Sequence, residues 1–387
     1  MVSVEGPALE PESPNLYQQI VARSQKQHRL FSAHWELTYR CNERCTHCYL
    51  QVLPPSARVP GELTTEECLR VVDELAALGV LNLTLSGGEI LVRRDLIEIA
   101  EYARSKQFAL RLFTNGILIK PAVADRLAAL HPYAVEVSLY GAEAASHEVI
   151  TRRPRSFELS IRALRLLHER GVRTVIKTPL MHHNVRQFHA LEALAEELGA
   201  QFRYDITITP QDTGGLSPLQ HRLTDDDLLW LFRTELDPTL WAGRVVPPEQ
   251  RTCGIASSGL VIDPYGNVFP CVQTRIVAGN VREQSLQAIW QSETLHDLAK
   301  LTLNELPVCR TCELRNLCVR CHGLAQVEDG DLHGPASVNC REALARRQVL
   351  IERGVLPPDY SIPAHLQSQV WWRMPVQELA RVIVLPG

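Results

Sequence analysis

The chain of 387 residues has no run of eighteen or more apolar residues, so no segment reads as a membrane-spanning helix. It has no surplus of positive charge either: 40 Lys and Arg stand against 44 Asp and Glu. Without a basic surface, nucleic acid is a poor candidate for a main partner. The first residues, Met-Val-Ser-Val-Glu-Gly-Pro, lack the basic and apolar regions of a secretory signal. The expectation is a cytoplasmic protein with no membrane partner. No internal repeat or low-complexity stretch is present, and the length suits one large α/β domain plus a smaller one.

Cysteine is absent between Cys68 and Cys253. The 11 Cys fall instead into a group of three at 41–48 and a group of seven from Cys253 to Cys340, with Cys68 apart. In a long chain without a secretory signal, such clustering points to metal rather than disulfides. Cys68 follows Thr64-Thr-Glu-Glu67, a capping box opening a helix, and reads as a buried hydrophobe.

The first group is Cys41-Asn-Glu-Arg-Cys45-Thr-His47-Cys48. Three thiolates at C-x3-C-x2-C spacing can ligate three irons of a [4Fe–4S] cube and leave the fourth iron open to a small molecule. Zinc is the alternative for the triplet alone. From residue 33, β-branched runs (34–38, 81–85, 109–113, 134–139, 173–177 and 202–208) alternate with helical stretches (64–78, 94–106, 121–130, 156–170 and 185–198). That pattern predicts a parallel sheet with right-handed crossovers, either doubly wound or a barrel. Leu-Ser-Gly87-Gly88-Glu89, Phe-Thr114-Asn115-Gly116 and Glu-Val-Ser138-Leu-Tyr-Gly141 each close a predicted strand, as the triplet does. Parallel α/β barrels build active sites on that rim.

The triplet and these three motifs, in this order, resemble the signature of radical S-adenosylmethionine (SAM) enzymes over roughly residues 33–345. The resemblance implies a partial (β/α)6 TIM barrel over 33–210, after an N-terminal extension at 1–32. It implies SAM bound at a cluster on Cys41, Cys45 and Cys48, and cleaved by one electron to a 5′-deoxyadenosyl radical. Gly87 and Gly88 would let backbone approach SAM, and Glu89 would receive its ammonium. Thr114, Asn115 and Ser138 would bond ribose or carboxylate, Lys177 would pair with the carboxylate, and His47 would stack near adenine. Ile90 stands where the family usually has Pro.

After a Pro-, Gly- and Asp-rich linker at 211–250 come Cys253…Gly266…Cys271, Cys309-x2-Cys312-x5-Cys318-x2-Cys321 and Cys340. This resembles the SPASM domain, a small Cys-rich α+β module, here placed at 251–345 before a tail at 346–387. A β-hairpin with its turn at 264–267 is expected within it. By that resemblance Cys309, Cys312, Cys318 and Cys340 enclose one auxiliary [4Fe–4S] cluster. Cys253, Cys271 and Cys321 hold another with one iron lacking a Cys, giving three clusters in all. Zinc on the two C-x2-C pairs is the alternative.

SPASM-bearing enzymes mostly act on peptides or proteins. The expected function is hydrogen abstraction from a ribosomally made peptide, leading to a crosslink, epimer or rearrangement. A separate peptide-recognition protein is expected, since thirty N-terminal residues cannot bury a core, with a flavodoxin or ferredoxin as electron donor. Sulfatase-type maturation is disfavoured by Val272, where those enzymes carry Asp. Tetrapyrrole side-chain modification of the haem d1 type and a non-catalytic Fe–S electron carrier are the other readings. Asp205, Tyr204, His182, His183 and Asp212 are acid–base candidates at the barrel mouth, Asp205 foremost. The apolar patch at 370–375 is expected to pack on the barrel.

Overall fold

A computed structural model describes residues 15–367; the apolar patch at 370–375 lies outside them. Six strands run parallel: β1 (Ser32–Glu36), β2 (Asn82–Ser86), β3 (Ala109–Thr114), β4 (Ala134–Ser138), β5 (Thr174–Pro179) and β6 (Gln201–Asp205). Each pairs with its sequence neighbour, so the sheet is laid down in chain order. Three more strands follow, β7 (Gly259–Ile262), β8 (Asn267–Phe269) and β9 (Gly279–Asn280). The sheet order is β6-β5-β4-β3-β2-β1-β7-β8-β9. It is curved but open, a partial barrel, with β6 and β9 at its edges.

The helices in order are α1 (Leu16–Lys26), α2 (Thr65–Ala77), α3 (Leu96–Ser105), α4 (Pro121–Ala129), α5 (Ala144–Thr151), α6 (Ser156–His168), α7 (Phe188–Glu197), α8 (Asp225–Glu235), α9 (Leu286–Trp290), α10 (Glu293–Lys300), α11 (His322–Asp329), α12 (Ser337–Glu352) and α13 (Ala364–Gln367). Strand alternation sorts the residues onto two faces. Trp35, Leu83, Leu85, Leu110, Leu112, Val135 and Val137 are buried in the main apolar core with residues of α2, α3, α4 and α6. Their alternates His34, Ser86, Phe113, Ser138 and Lys177 line a cavity inside the barrel. One face therefore holds the fold together, and the other is left for chemistry.

The SPASM region is not a separate bead. Its first strand, β7, pairs in parallel with β1 and carries the barrel's sheet straight on, Ala33 opposite Leu260 and Trp35 opposite Ile262. The hairpin expected at 264–267 is β7–β8, paired antiparallel. Nor is 211–250 simply a linker. It contains α8, capped by Thr224 and Asp227 in a reciprocal box. Leu228, Leu231 and Phe232 of α8 pack with Ala345 and Val349 of α12, and Arg233 pairs with Glu352 at 2.7 Å. α12 in turn runs past the boundary placed at 345. Cys68 is fully buried, as expected of an inert hydrophobe.

Candidate functional site

The cysteine triplet lies on a loop pinned at its base, where Cys41 N donates to Leu53 O at 2.8 Å and Leu53 N to Tyr39 O at 2.8 Å. Its middle rests on the end of α5, with Thr46 N on Ile150 O at 2.9 Å and Arg44 N on Thr151 O at 3.2 Å. The rim loop after β2 presses against the strand leading into it. A Cβ at Gly87 (φ +131°) would sit 2.3 Å from Thr38 O, and one at Gly88 2.4 Å from Arg40 O. These glycines permit backbone-to-backbone contact beneath the triplet, and both also line the cavity.

All three thiols face that cavity of about 440 Å³. Burial, followed by the Glu89 carboxylate, pushes the Cys41 thiol up to about 12, and burial foremost lifts Cys48 to about 11. Cys45 is raised by burial and then by Glu43. Three such thiols crowded together ionise only if a cation is there to receive them, which fits a metal cluster.

Glu89 closes the turn after β2. It is fully buried and accepts from Leu91 N (3.0 Å), Thr114 Oγ1 (2.8 Å) and Asn115 N (2.7 Å). Two of these bonds fall on Oε1 and one on Oε2, and together they brace the β3 turn. Thr114 and Asn115 line the cavity, but their side chains are engaged too: Thr114 Oγ1 also accepts from Gly116 N, and Asn115 Nδ2 donates to Asn42 Oδ1 at 2.6 Å. Ser138 and Lys177 sit opposite each other on β4 and β5. The Lys177 ammonium lies 3.9 Å from the centre of the Phe113 ring and 3.9 Å from Glu136. His47 packs edge-on to Tyr140, and burial holds it neutral with its pKa down to about 3.

The remaining cysteines divide between two further cavities. Cys309, Cys312, Cys318 and Cys340 line one of about 60 Å³. Cys253, Cys271 and Cys321 line another of about 610 Å³. The larger of these cavities shares His34, Asp205, Thr207, Val272 and Gln273 with the triplet's cavity, so the two adjoin. Asp205 stands at that junction, one carboxylate oxygen accepting from Thr207 N at 2.7 Å.

Sequence reasoning missed the ionic lock beside the triplet. Glu36, fully buried at the end of β1, receives two hydrogen bonds from Arg275 at 2.7 and 3.0 Å, and the hydroxyls of Tyr49 (2.7 Å) and Tyr39 (2.9 Å). A carboxylate inside the predicted strand at 34–38 was the available signal. Glu43 was missed as well; burial and the neighbouring Glu89 lift its pKa to about 8.

A largely parallel α/β sheet with three cysteine thiols at its rim and seven more lining two further cavities fits an iron–sulfur enzyme. Residues 35–195 match the radical SAM superfamily and residues 253–313 match SPASM, an iron–sulfur cluster-binding domain. The chain belongs to the radical SAM superfamily and carries a SPASM domain. It is 33% identical to the mycofactocin maturase MftC of Mycobacterium tuberculosis, over 67% of this chain and 70% of that protein. It is 28% identical to the AdoMet-dependent heme synthase of Methanosarcina barkeri, over 77% of this chain and 92% of that protein. Streptococcus suis SuiB, crystallised bound to the precursor peptide SuiA, shares the fold with a TM-score of 0.62. That likeness spans 87% of this chain and 83% of SuiB at 14% identity, and concerns fold alone. The protein is an enzyme, which sets aside the electron-carrier reading. Its family implies SAM, a [4Fe–4S] cluster and further iron–sulfur sites. Among the described residues no helix is long and apolar enough to cross a membrane.

Proposed function

We propose that this enzyme matures a ribosomally made peptide by abstracting hydrogen from one of its residues. The observation that carries this reading is the 33% identity to a maturase over 70% of that protein's length. When bound, the cluster and SAM supply a 5′-deoxyadenosyl radical. The chain's own part is placement. Cys41, Cys45 and Cys48 would hold the cluster, Ser138 and Lys177 offer a hydroxyl and an ammonium for the polar groups of SAM, and half-buried His47 with buried Tyr140 forms an aromatic wall. The substrate would lie where the two large cavities meet, with Asp205 within reach as an acid–base group. Cys309, Cys312, Cys318 and Cys340 are assigned to one auxiliary [4Fe–4S] cluster, and Cys253, Cys271 and Cys321 to another with one iron free of Cys. A flavodoxin- or ferredoxin-type donor and a separate peptide-recognition protein complete the proposed system, which operates in the cytoplasm.

The fuller coverage of the heme synthase, 92% against 70%, favours tetrapyrrole modification as a second reading. One experiment separates them. The reduced, reconstituted enzyme is incubated with SAM and either short peptides encoded beside its gene or a propionate-bearing tetrapyrrole. 5′-Deoxyadenosine is then counted by mass spectrometry. Peptide-stimulated release with a mass change in the peptide is expected. Stimulation by the tetrapyrrole alone would overturn the peptide reading.

A further inference from the structure

We propose that His182, His183 and His221 form a binding site for a divalent transition-metal ion, zinc being the best match, separate from every cysteine site. One ring nitrogen from each lies within 4.8 Å of the others, and among the described residues no other three His, Cys, Asp or Glu side chains come so close. Side-chain rotation closes that spacing to the about 3.4 Å that two nitrogens keep around a tetrahedral zinc. The independent sign of a ligand is His221 itself. It is 7% exposed, and neither of its ring nitrogens has a hydrogen-bond partner. A buried imidazole normally has at least one nitrogen paired.

The scaffold holds both arms in place. His182 and His183 sit on the turn after β5, which Asn184 fixes: its Oδ1 accepts from Met181 N at 2.7 Å, and its Nδ2 donates to Tyr140 O and Pro179 O, each at 3.0 Å. His221 ends the short helical turn Ser217–His221. The next residue, Arg222, is tied to Ile208 O at 2.9 Å and to the buried Glu328. A backbone bond from His182 N to His221 O at 3.2 Å joins the two arms. Sites built on supports fixed in advance lose little entropy on binding.

The chemistry of the donors agrees. Burial and the two neighbouring imidazoles lower the His221 pKa to about 4, so it is a neutral donor. The charged and titratable groups that interact with it are His183, His182, Arg152 and His47, with no carboxylate among them. All-imidazole sets favour zinc, copper or nickel over magnesium or calcium. His183 is exposed, which provides an entry path. Three His leave a fourth position for water or a ligand donor. None of the three lines the triplet's cavity, so the ion would clip the turn after β5 to the segment ending at His221.

The test uses untagged, fully reconstituted enzyme exposed to Zn²⁺ and then gel-filtered, with zinc and iron counted by mass spectrometry. About one zinc per chain is expected, with an X-ray absorption shell of nitrogen or oxygen at about 2.0–2.1 Å. His183→Ala, at an exposed position, should weaken zinc binding at least tenfold with iron unchanged. His221→Ala should do the same, and His189→Ala, an exposed control outside the trio, should leave zinc binding intact. Zinc retained equally by His183→Ala, a sulfur shell at about 2.3 Å, or no retained zinc in the unaltered enzyme would each overturn the site. Neither SAM nor substrate is present, so the outcome is independent of the peptide reading.

Discussion

Replacing Arg275 by Met should loosen the junction between the SPASM region and the barrel far more than loss of one surface charge would. In the intact protein Glu36 is fully buried, yet its pKa is lowered, because the Arg275 guanidinium and the Tyr49 hydroxyl outweigh the cost of burial. Removing the guanidinium leaves a buried carboxylate with two tyrosine hydroxyls, at a cost of about 3–5 kcal/mol. That energy bears on local opening of the segment carrying Val272 and Gln273. Hydrogen exchange there should therefore speed up by a factor on the order of a hundred or more. The defect has a pH signature. Without Arg275 the folded-state pKa of Glu36 moves above its unfolded value, so folding then favours the protonated acid. The deficit is largest at neutral pH and shrinks as the pH falls toward the unfolded carboxylate pKa. The neutral pair Glu36→Gln with Arg275→Met should recover much of the loss, since no buried charge is left alone. Exchange within threefold of the unaltered enzyme in Arg275→Met, or equal exchange in the single and double variants, would refute the reasoning.

Reconstitution under anaerobic conditions should give about twelve irons per chain. Joint replacement of Cys41, Cys45 and Cys48 by Ala should remove about four of them and abolish SAM cleavage, as read by iron analysis and 5′-deoxyadenosine release. Glu89→Ala should weaken SAM binding more than tenfold with iron retained, because it strips acceptors from buried donors worth about 1–3 kcal/mol each. Glu89→Gln, which keeps one carbonyl oxygen, should stay closer to normal; equilibrium dialysis distinguishes them. Burial, helped by Lys177 and Arg275, holds His34 at about 4 against its ordinary 6.5. Folding therefore favours the neutral ring, and the stability it contributes above pH 6.5 is lost as the pH falls toward 4, by on the order of 3 kcal/mol. Denaturation profiles of His34→Gln should be flatter in that window than those of the unaltered enzyme.

Where chemistry demands particular atoms at particular spacings, the sequence was readable. Only cysteine supplies thiolates, so the triplet and the seven later Cys stood out at once, and the structure gathers them around three cavities. Strand and helix alternation was equally plain, since local apolar periodicity writes it. What stayed hidden was non-local or compositionally masked. The pairing of β7 with β1 depends on contacts across the whole chain. α8 lay within a Pro- and Gly-rich stretch, although Thr224-Asp-Asp-Asp227 ahead of an apolar run was a readable start signal. The bracing by Glu89, whose oxygens accept from Leu91 N, Asn115 N and Thr114 Oγ1, likewise joins segments that the motif alone does not connect.

The parallel seam between β1 and β7 also sets a schedule for making the protein. β1 is complete once Glu36 leaves the ribosome, whereas its second partner begins only at Gly259. At about 5–20 residues per second that interval lasts on the order of 10–45 s. Throughout it, one side of β1 is an open row of backbone donors and acceptors, available to any other nascent strand. The cysteines of the second group, Cys253 to Cys340, emerge over the same interval as β7, so the sheet edge and their cavities are completed together. A ribosome that stalls before residue 259 would release a chain with a bare β1 edge, and such chains should be the ones that aggregate or recruit chaperones.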